Sequence, residues 1–162
     1  MNSLSFSNSK ILESATKLHS SIDKLYYNNG ELRGPDRGTG FEKYVGRVIK
    51  SYIPLNWKDG YRYSNMGQGY WIINNWKLFD LTSRIEYARK SLETSKKLAS
   101  KQSVEGCWKI THGNKKWRGV VSTVDNTFAA LGLLETYKVT KSEEFLKSAE
   151  AWANYLIQNV GF

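Results

Sequence analysis

Cysteine occurs once in the 162 residues, as Cys107, and proline only twice, as Pro35 and Pro54. A single cysteine excludes an intramolecular disulfide and a cysteine cage for a metal. With His19 and His112 as the only other soft ligands, the expectation is no metal and no cofactor. Two prolines and 13 glycines leave too few tight turns for an all-β protein. Nowhere do eighteen apolar residues run together, and Met1 to Lys10 lacks the apolar centre of a secretion signal. No membrane span and a cytoplasmic location are therefore expected.

What is present is an ordinary globular composition with one excess. Apolar residues make up 40% and charged residues 24%, which excludes disordered, collagen-like and coiled-coil classes, and the length suits one domain. Aromatic residues are dense, with 6 Trp, 10 Tyr and 6 Phe. The net charge of +9 is concentrated in residues 56–121, which hold 13 basic and 5 acidic residues. Part of it belongs to solvated helix faces (Lys96, Lys97, Lys101), and part to the segment from Lys109 to Arg118, where it suits an anionic ligand. No helix-turn-helix, zinc-finger or RNA-recognition signature accompanies the charge, so there is no strong nucleic-acid signal.

Hydrophobic spacing reads as helices. Ile11, Ala15, Leu18, Ile22 and Leu25 alternate steps of four and three, which predicts a one-faced helix over 7–27 ended by Asn28-Asn29-Gly30. A short helix over 41–53 is stopped by Pro54, and 54–69 reads as loop. Tyr70 to Leu81 is apolar on nearly every side and predicts a buried helix. The stretch 83–102 carries one stripe (Ile85, Ala88, Leu92, Ala99) and opens on the capping-box pattern Ser83-Arg-Ile-Glu86. The alternation repeats: Ser122-Thr-Val-Asp125 opens a second apolar helix to Tyr137, and Thr140-Lys-Ser-Glu143 a second amphipathic one with Phe145, Leu146, Ala149, Trp152, Ala153, Leu156 and Ile157 inward.

The two copies align at an offset of 58 residues: Phe79 with Tyr137, Thr82 with Thr140, Tyr87 with Phe145, Ser91 with Ala149 and Leu98 with Leu156. A weaker copy of the outer helix lies at the start, Ile11 matching Tyr87 and Gly30 matching Gly106. Each helical hairpin then buries its faces only by stacking on its neighbours. A plain helical bundle is the alternative.

One stretch carries more than periodicity. Leu98-Ala-Ser-Lys-Gln102-Ser-Val-Glu-Gly106-Cys-Trp108 resembles the QW repeat of terpenoid cyclases and related (α/α) toroids. In that family the Gln and Trp pin the loop that leads into the next inner helix. Val124-Asp125-Asn126-Thr127 is similar to inner-helix openings in toroid enzymes acting on isoprenoids or polysaccharides. The resemblance implies an all-α segment of an α/α toroid over 1–162, with an N-terminal helix and an irregular region in 1–68 and two helical-hairpin repeats in 69–162. About six hairpins would close a ring, so the chain is expected to be about half of one, completed by self-association or by a missing part. The acidic motif of class II terpenoid cyclases is represented by Asp125 alone. Its lone carboxylate lacks the neighbours that tune a strong acid, and the zinc ligands of a protein prenyltransferase are missing.

In a toroid the segments 54–69 and 103–122 lie at one rim. They bring Trp57, Tyr63, Gln68, Tyr70, Trp108, Lys116, Trp117 and Arg118 forward as candidate substrate-binding residues. Aromatic faces stack on sugar C–H surfaces while amides and cations take hydroxyl and carboxylate groups. Candidate proton-transfer residues are His112, which titrates near neutral pH, and the carboxylates Asp59 and Asp125. Asp59-Gly60 also reads as a turn and Asp125 as part of a helix cap. The expected function is a polysaccharide hydrolase, lyase or epimerase acting on a small-molecule or glycan ligand, one that is anionic if the basic rim binds it. An isoprenoid-binding cyclase relative and a non-catalytic binding or assembly module are the alternatives.

Overall fold

The computed structural model describes residues 3–36, 45, 47–52, 60–111 and 117–160. In chain order these form helix α1 (Ser3–Tyr26), strands β1 (Tyr27–Asn28) and β2 (Glu31–Asp36), the short helix α2 (Arg47–Tyr52), strand β3 (Gly60–Tyr63), and helices α3 (Asn65–Thr82), α4 (Ile85–Ser100), α5 (Thr123–Thr140) and α6 (Glu143–Asn159). The protein is mostly helical. α3 and α5 lie against each other as inner helices, and α4 and α6 pack outside them. No described helix is long and apolar enough to cross a membrane.

The segment expected to be loop before α3 is partly a ribbon. β2 runs antiparallel between β1 and β3, with Arg33 opposite Tyr63 and Asp36 opposite Gly60. The same device precedes α5, where Lys109 bridges Val121 and the backbones of Ile110, Gly119 and Val120 bond each other. Helix α3 also starts five residues earlier than its apolar run, because the Ser64 hydroxyl accepts the Gly67 N–H and caps it.

Repetition at an offset of 58 extends to single hydrogen bonds. Ser122 caps α5 by accepting from Asp125 N–H, as Ser64 caps α3. Gln68 holds the backbone of Leu32, accepting its N–H at 2.8 Å and donating to its carbonyl at 2.5 Å. Asn126, 58 residues on, holds Trp108, 76 residues after Leu32, in the same way at 2.5 and 2.9 Å. Both hairpins turn through a left-handed residue, Ser83 and Lys141, each with φ 56°. The expected capping boxes at Ser83 and Thr140 are corrected here. Arg84 and Ser142 occupy the N-caps without side-chain cap bonds. Thr82 and Thr140 accept those residues' N–H groups instead.

The core lies between inner and outer layers: Ile72, Trp76, Leu98, Cys107, Trp108, Ala129, Leu133, Phe145, Ala149 and Trp152. The inner helices approach closely where glycines remove side chains. A Cβ on Gly69 would sit 2.0 Å from the Phe128 carbonyl oxygen, and one on Gly132 would sit 2.9 Å from Gly69 Cα. Trp76 Nε1 donates to Thr136 Oγ1 across the same contact at 2.9 Å.

Two sequence expectations about faces are corrected. The inner helices are not buried all round: Tyr70, Asn74, Lys77 and Leu81 of α3, and Val124, Leu131 and Val139 of α5, form solvent-facing stripes. On α1 the apolar stripe faces outward, and the polar-aromatic face around His19 packs on α3 and α4. Periodicity reveals that a helix has an apolar face; it does not reveal which neighbour that face meets.

Candidate ligand-binding face

Both inner helices begin at the same end, each delivered there by an antiparallel ribbon and a serine cap. One turn in, Tyr70 of α3 and Phe128 of α5 occupy equivalent positions at the 58-residue offset. Their rings stack with centroids 4.5 Å apart and planes 27° from parallel. Tyr70 stays 44% exposed, so the pair forms a partly open aromatic platform. Trp117 and Arg118 stand exposed in the ribbon entering α5. Asp125 lies in the first turn of α5, half-buried, with its N–H given to Ser122.

Other expected rim residues are turned into the protein. Gln68 is buried as the clasp on Leu32. Trp108 is 1% exposed and donates its Nε1–H to Leu98 O at 2.8 Å. Gln102 completes that junction, donating to Gly106 O and Ser148 O. Gln102 and Trp108 thus pin the turn between α4 and α5. Tyr63 ends β3 with its hydroxyl buried and without a hydrogen-bond partner among the described residues. Burial first, and then the Glu31 charge, pushes that phenol upward. Trp57, Asp59, His112 and Lys116 lie outside the described residues.

Beside Tyr63 sits a compact charge cluster. Glu31 is buried and paired with Arg33, 2.9 Å away, and with Lys101, whose ammonium also lies 4.0 Å from the centre of the Tyr63 ring. Burial works to raise the Glu31 carboxyl, but the two cations outweigh it and hold it below its usual range. An open hollow of about 540 Å³ lies between the Asn29–Gly30 turn and the end of α4, lined by Glu93, Lys96, Lys97 and Ser100. Its lysines are solvated surface residues, and the aromatic platform does not line it. Among the described residues no group of three or more His, Cys, Asp or Glu could hold a metal ion.

Sequence reasoning missed Phe128, Asn126 and His19. Phe128 and Asn126 were within reach, since the offset that pairs Thr82 with Thr140 also pairs Tyr70 with Phe128 and Gln68 with Asn126. His19 gave no such signal. It is buried, stacks on Trp71 with centroids 4.4 Å apart, meets the Tyr87 ring edge-on, and bonds Asn75 Oδ1 at 2.9 Å.

Burial is the main influence lowering the His19 pKa; its bond to Asn75 and the charges of Asp23 and Glu86 act against this, while Lys90 adds to it. Unfolding then exposes an imidazole that binds protons more readily than the folded one. The contribution of His19 to stability is complete above the unfolded-chain value of 6.5 and is lost as pH falls through the lower folded value. The melting temperature of the wild type should therefore fall more steeply below that pH than that of His19→Gln. Parallel curves from differential scanning fluorimetry would contradict the assignment.

No family model, curated protein or solved structure compared with the chain matches it.

Proposed function

We propose that this chain is the carbohydrate-active segment of an α/α toroid, gripping a glycan on the Tyr70–Phe128 platform. The observation that carries this reading is the stacked pair itself, two aromatic rings at equivalent positions on adjacent inner helices, with Tyr70 44% exposed. An exposed ring offers a flat apolar face to sugar C–H groups. Asn74 follows Tyr70 by one turn on α3, Asp125 lies in the first turn of α5 and Arg118 in the ribbon before it; they supply the amide, carboxylate and guanidinium groups that recognise hydroxyl groups and uronic acid carboxylates. Hydrolase, lyase or epimerase chemistry would draw its proton transfers from Asp125 with Asp59 and His112.

A glycan array that includes polyuronates tests the reading. Binding should weaken by about tenfold or more in Tyr70→Ala, and Trp117→Ala should reduce it as well, with the circular dichroism spectrum unchanged. An array without hits, or hits indifferent to Tyr70→Ala, would defeat it. If Asp59→Asn, His112→Gln and Asp125→Asn together leave a measured activity intact, those residues are not its acid and base.

A second reading has its own support. Val124, Leu131 and Val139 line the open stripe of α5 with apolar surface, which favours an isoprenoid chain over a sugar. Tight binding of a farnesyl or geranylgeranyl diphosphate, lost on Leu131→Asp, would select it.

A further inference from the structure

Helices α4 and α6 seat one equivalent face on the inner helix of their own hairpin. On α4 this face is Tyr87, Ser91, Thr94 and Leu98, all buried, with Ser91 Oγ donating to Ile72 O of α3 at 2.9 Å. On α6 it is Phe145, Ala149, Trp152 and Leu156, packed into the core beside α5. Helix α1 is related to α4 by an offset of 76 residues, which sets Gly30 on Gly106 and Arg33 on Lys109. Both glycines have positive φ and lie against an outer helix at equivalent points, Glu93 and Ala151. Arg33 and Lys109 pair with Tyr63 and Val121, which are themselves 58 residues apart. By that offset the seating face of α1 is Ile11, Ala15, Leu18 and Ile22.

On α1 this face is open. Ile11 is 63% exposed, Leu18 62% and, two turns on, Leu25 60%; Ala15 is exposed and Ile22 half-buried. The adjoining face of α1 does what its counterpart on α4 does. His19 is equivalent to Ser95. It bonds Asn75 of the following inner helix α3, as Ser95 bonds Thr136 of the following inner helix α5. Helix α1 is therefore an outer helix joined to the next inner helix, with no inner helix of its own among the described residues.

We infer that the Ile11–Ala15–Leu18 face is the seat of a further inner-type helix, supplied by a partner polypeptide. The seat defines the chemistry of that helix. Its residues are uncharged and flanked by Ser14 and Ser21, so the face it takes is apolar and without charge, like the faces that α3 and α5 turn to their outer helices. Continuity supports the same occupant. The open face adjoins the contact of His19 with Trp71 and Asn75, so a helix seated there extends the row of inner helices beside α3. A second copy of this chain does not fit. Each of its inner helices already carries an outer helix on the required face, α4 on α3 and α6 on α5.

The test uses the intact chain labelled with bimane at Ser14→Cys; Cys107 is buried and escapes labelling. The probe is a synthetic peptide of residues 122–141, the α5 sequence with its cap. A saturable blue shift is expected, weakened by about tenfold or more in Leu18→Asp and unchanged in Ile85→Asp, which alters an exposed residue at the start of α4. Leu18 is exposed, so that variant should keep the wild-type spectrum and melting temperature. No saturable response, or one indifferent to Leu18→Asp, overturns the proposal. A dimer seen by light scattering without peptide and abolished by Leu18→Asp overturns it in favour of a second copy. An equal blue shift with phosphatidylserine vesicles overturns it in favour of a lipid surface.

Discussion

Replacing Gly69 with alanine is expected to destabilise the protein by about 3 kcal/mol, near the upper end for adding one methyl group to a packed interior. The added Cβ would lie 2.0 Å from Phe128 O, 2.5 Å from Phe128 C and 2.9 Å from Ala129 N. All three are backbone atoms, so no side-chain rotation relieves the overlap and α3 must move away from α5. That movement breaks the Trp76–Thr136 hydrogen bond and separates Tyr70 from Phe128. The gain in helix propensity from Gly to Ala, about 1 kcal/mol, offsets only part of this. Gly67, two residues earlier, is the control: a Cβ there meets only Ser64 side-chain atoms at 3.6 and 3.8 Å. Gly67→Ala should be neutral or slightly stabilising. Urea denaturation at constant m-value separates the two outcomes, and equal midpoints for both variants would contradict the close crossing.

Truncating Trp108 to alanine is expected to cost about 4 kcal/mol, in the range for removing a large buried aromatic side chain. The indole is 1% exposed and its N–H is held by Leu98 O. Its removal leaves a cavity and takes one of two donors from that carbonyl, which keeps only the Lys101 N–H at the end of α4. Trp108→Phe keeps most of the volume and loses the donor, so about 1–2 kcal/mol is expected. Trp117→Ala, at a position 53% exposed, should change stability little and act on ligand binding instead. Thermal melts of the three variants check this. A Trp108→Ala protein as stable as wild type would mean that Trp108 does not pin the turn.

These two residues mark where sequence reading succeeds and where it stops. The helical hairpins were legible because core packing imposes a period on apolar residues, which Phe145, Ala149 and Trp152 follow on α6; on α4 the expected stripe is displaced, with Ile85 75% exposed and Tyr87, Ser91 and Leu98 buried instead. The pinning of Gln102 and Trp108 was implied by their resemblance to the QW repeat. The ribbons before α3 and α5 were not. Gly60-Tyr-Arg-Tyr63 is too short for an alternation signal, and its partner β2 lies about thirty residues away. Gln68, Trp108 and Trp117 looked alike as aromatic and amide residues near a rim. Only the fold sets Gln68 on a backbone and Trp108 in the core, and leaves Trp117 exposed. The stripe of α1 carries a related lesson: the one-faced helix expected over 7–27 turns its apolar residues Ile11, Leu18 and Leu25 outward. His19 instead meets Trp71, Asn75 and Tyr87, and Asp23 pairs with Lys90.

The central claim is that two copies of one hairpin meet through their inner helices at Gly69 and Gly132, which brings Tyr70 and Phe128 together. A double-mutant cycle of Gly69→Ala and Gly132→Ala, followed by urea denaturation, tests it most directly. If the two glycines face each other, either methyl alone forces the helices apart and the second adds little. The double variant should then be more stable than additivity predicts by about 1 kcal/mol or more. Additive losses within about 0.5 kcal/mol would contradict the account, because they would mean that the two positions do not share a contact.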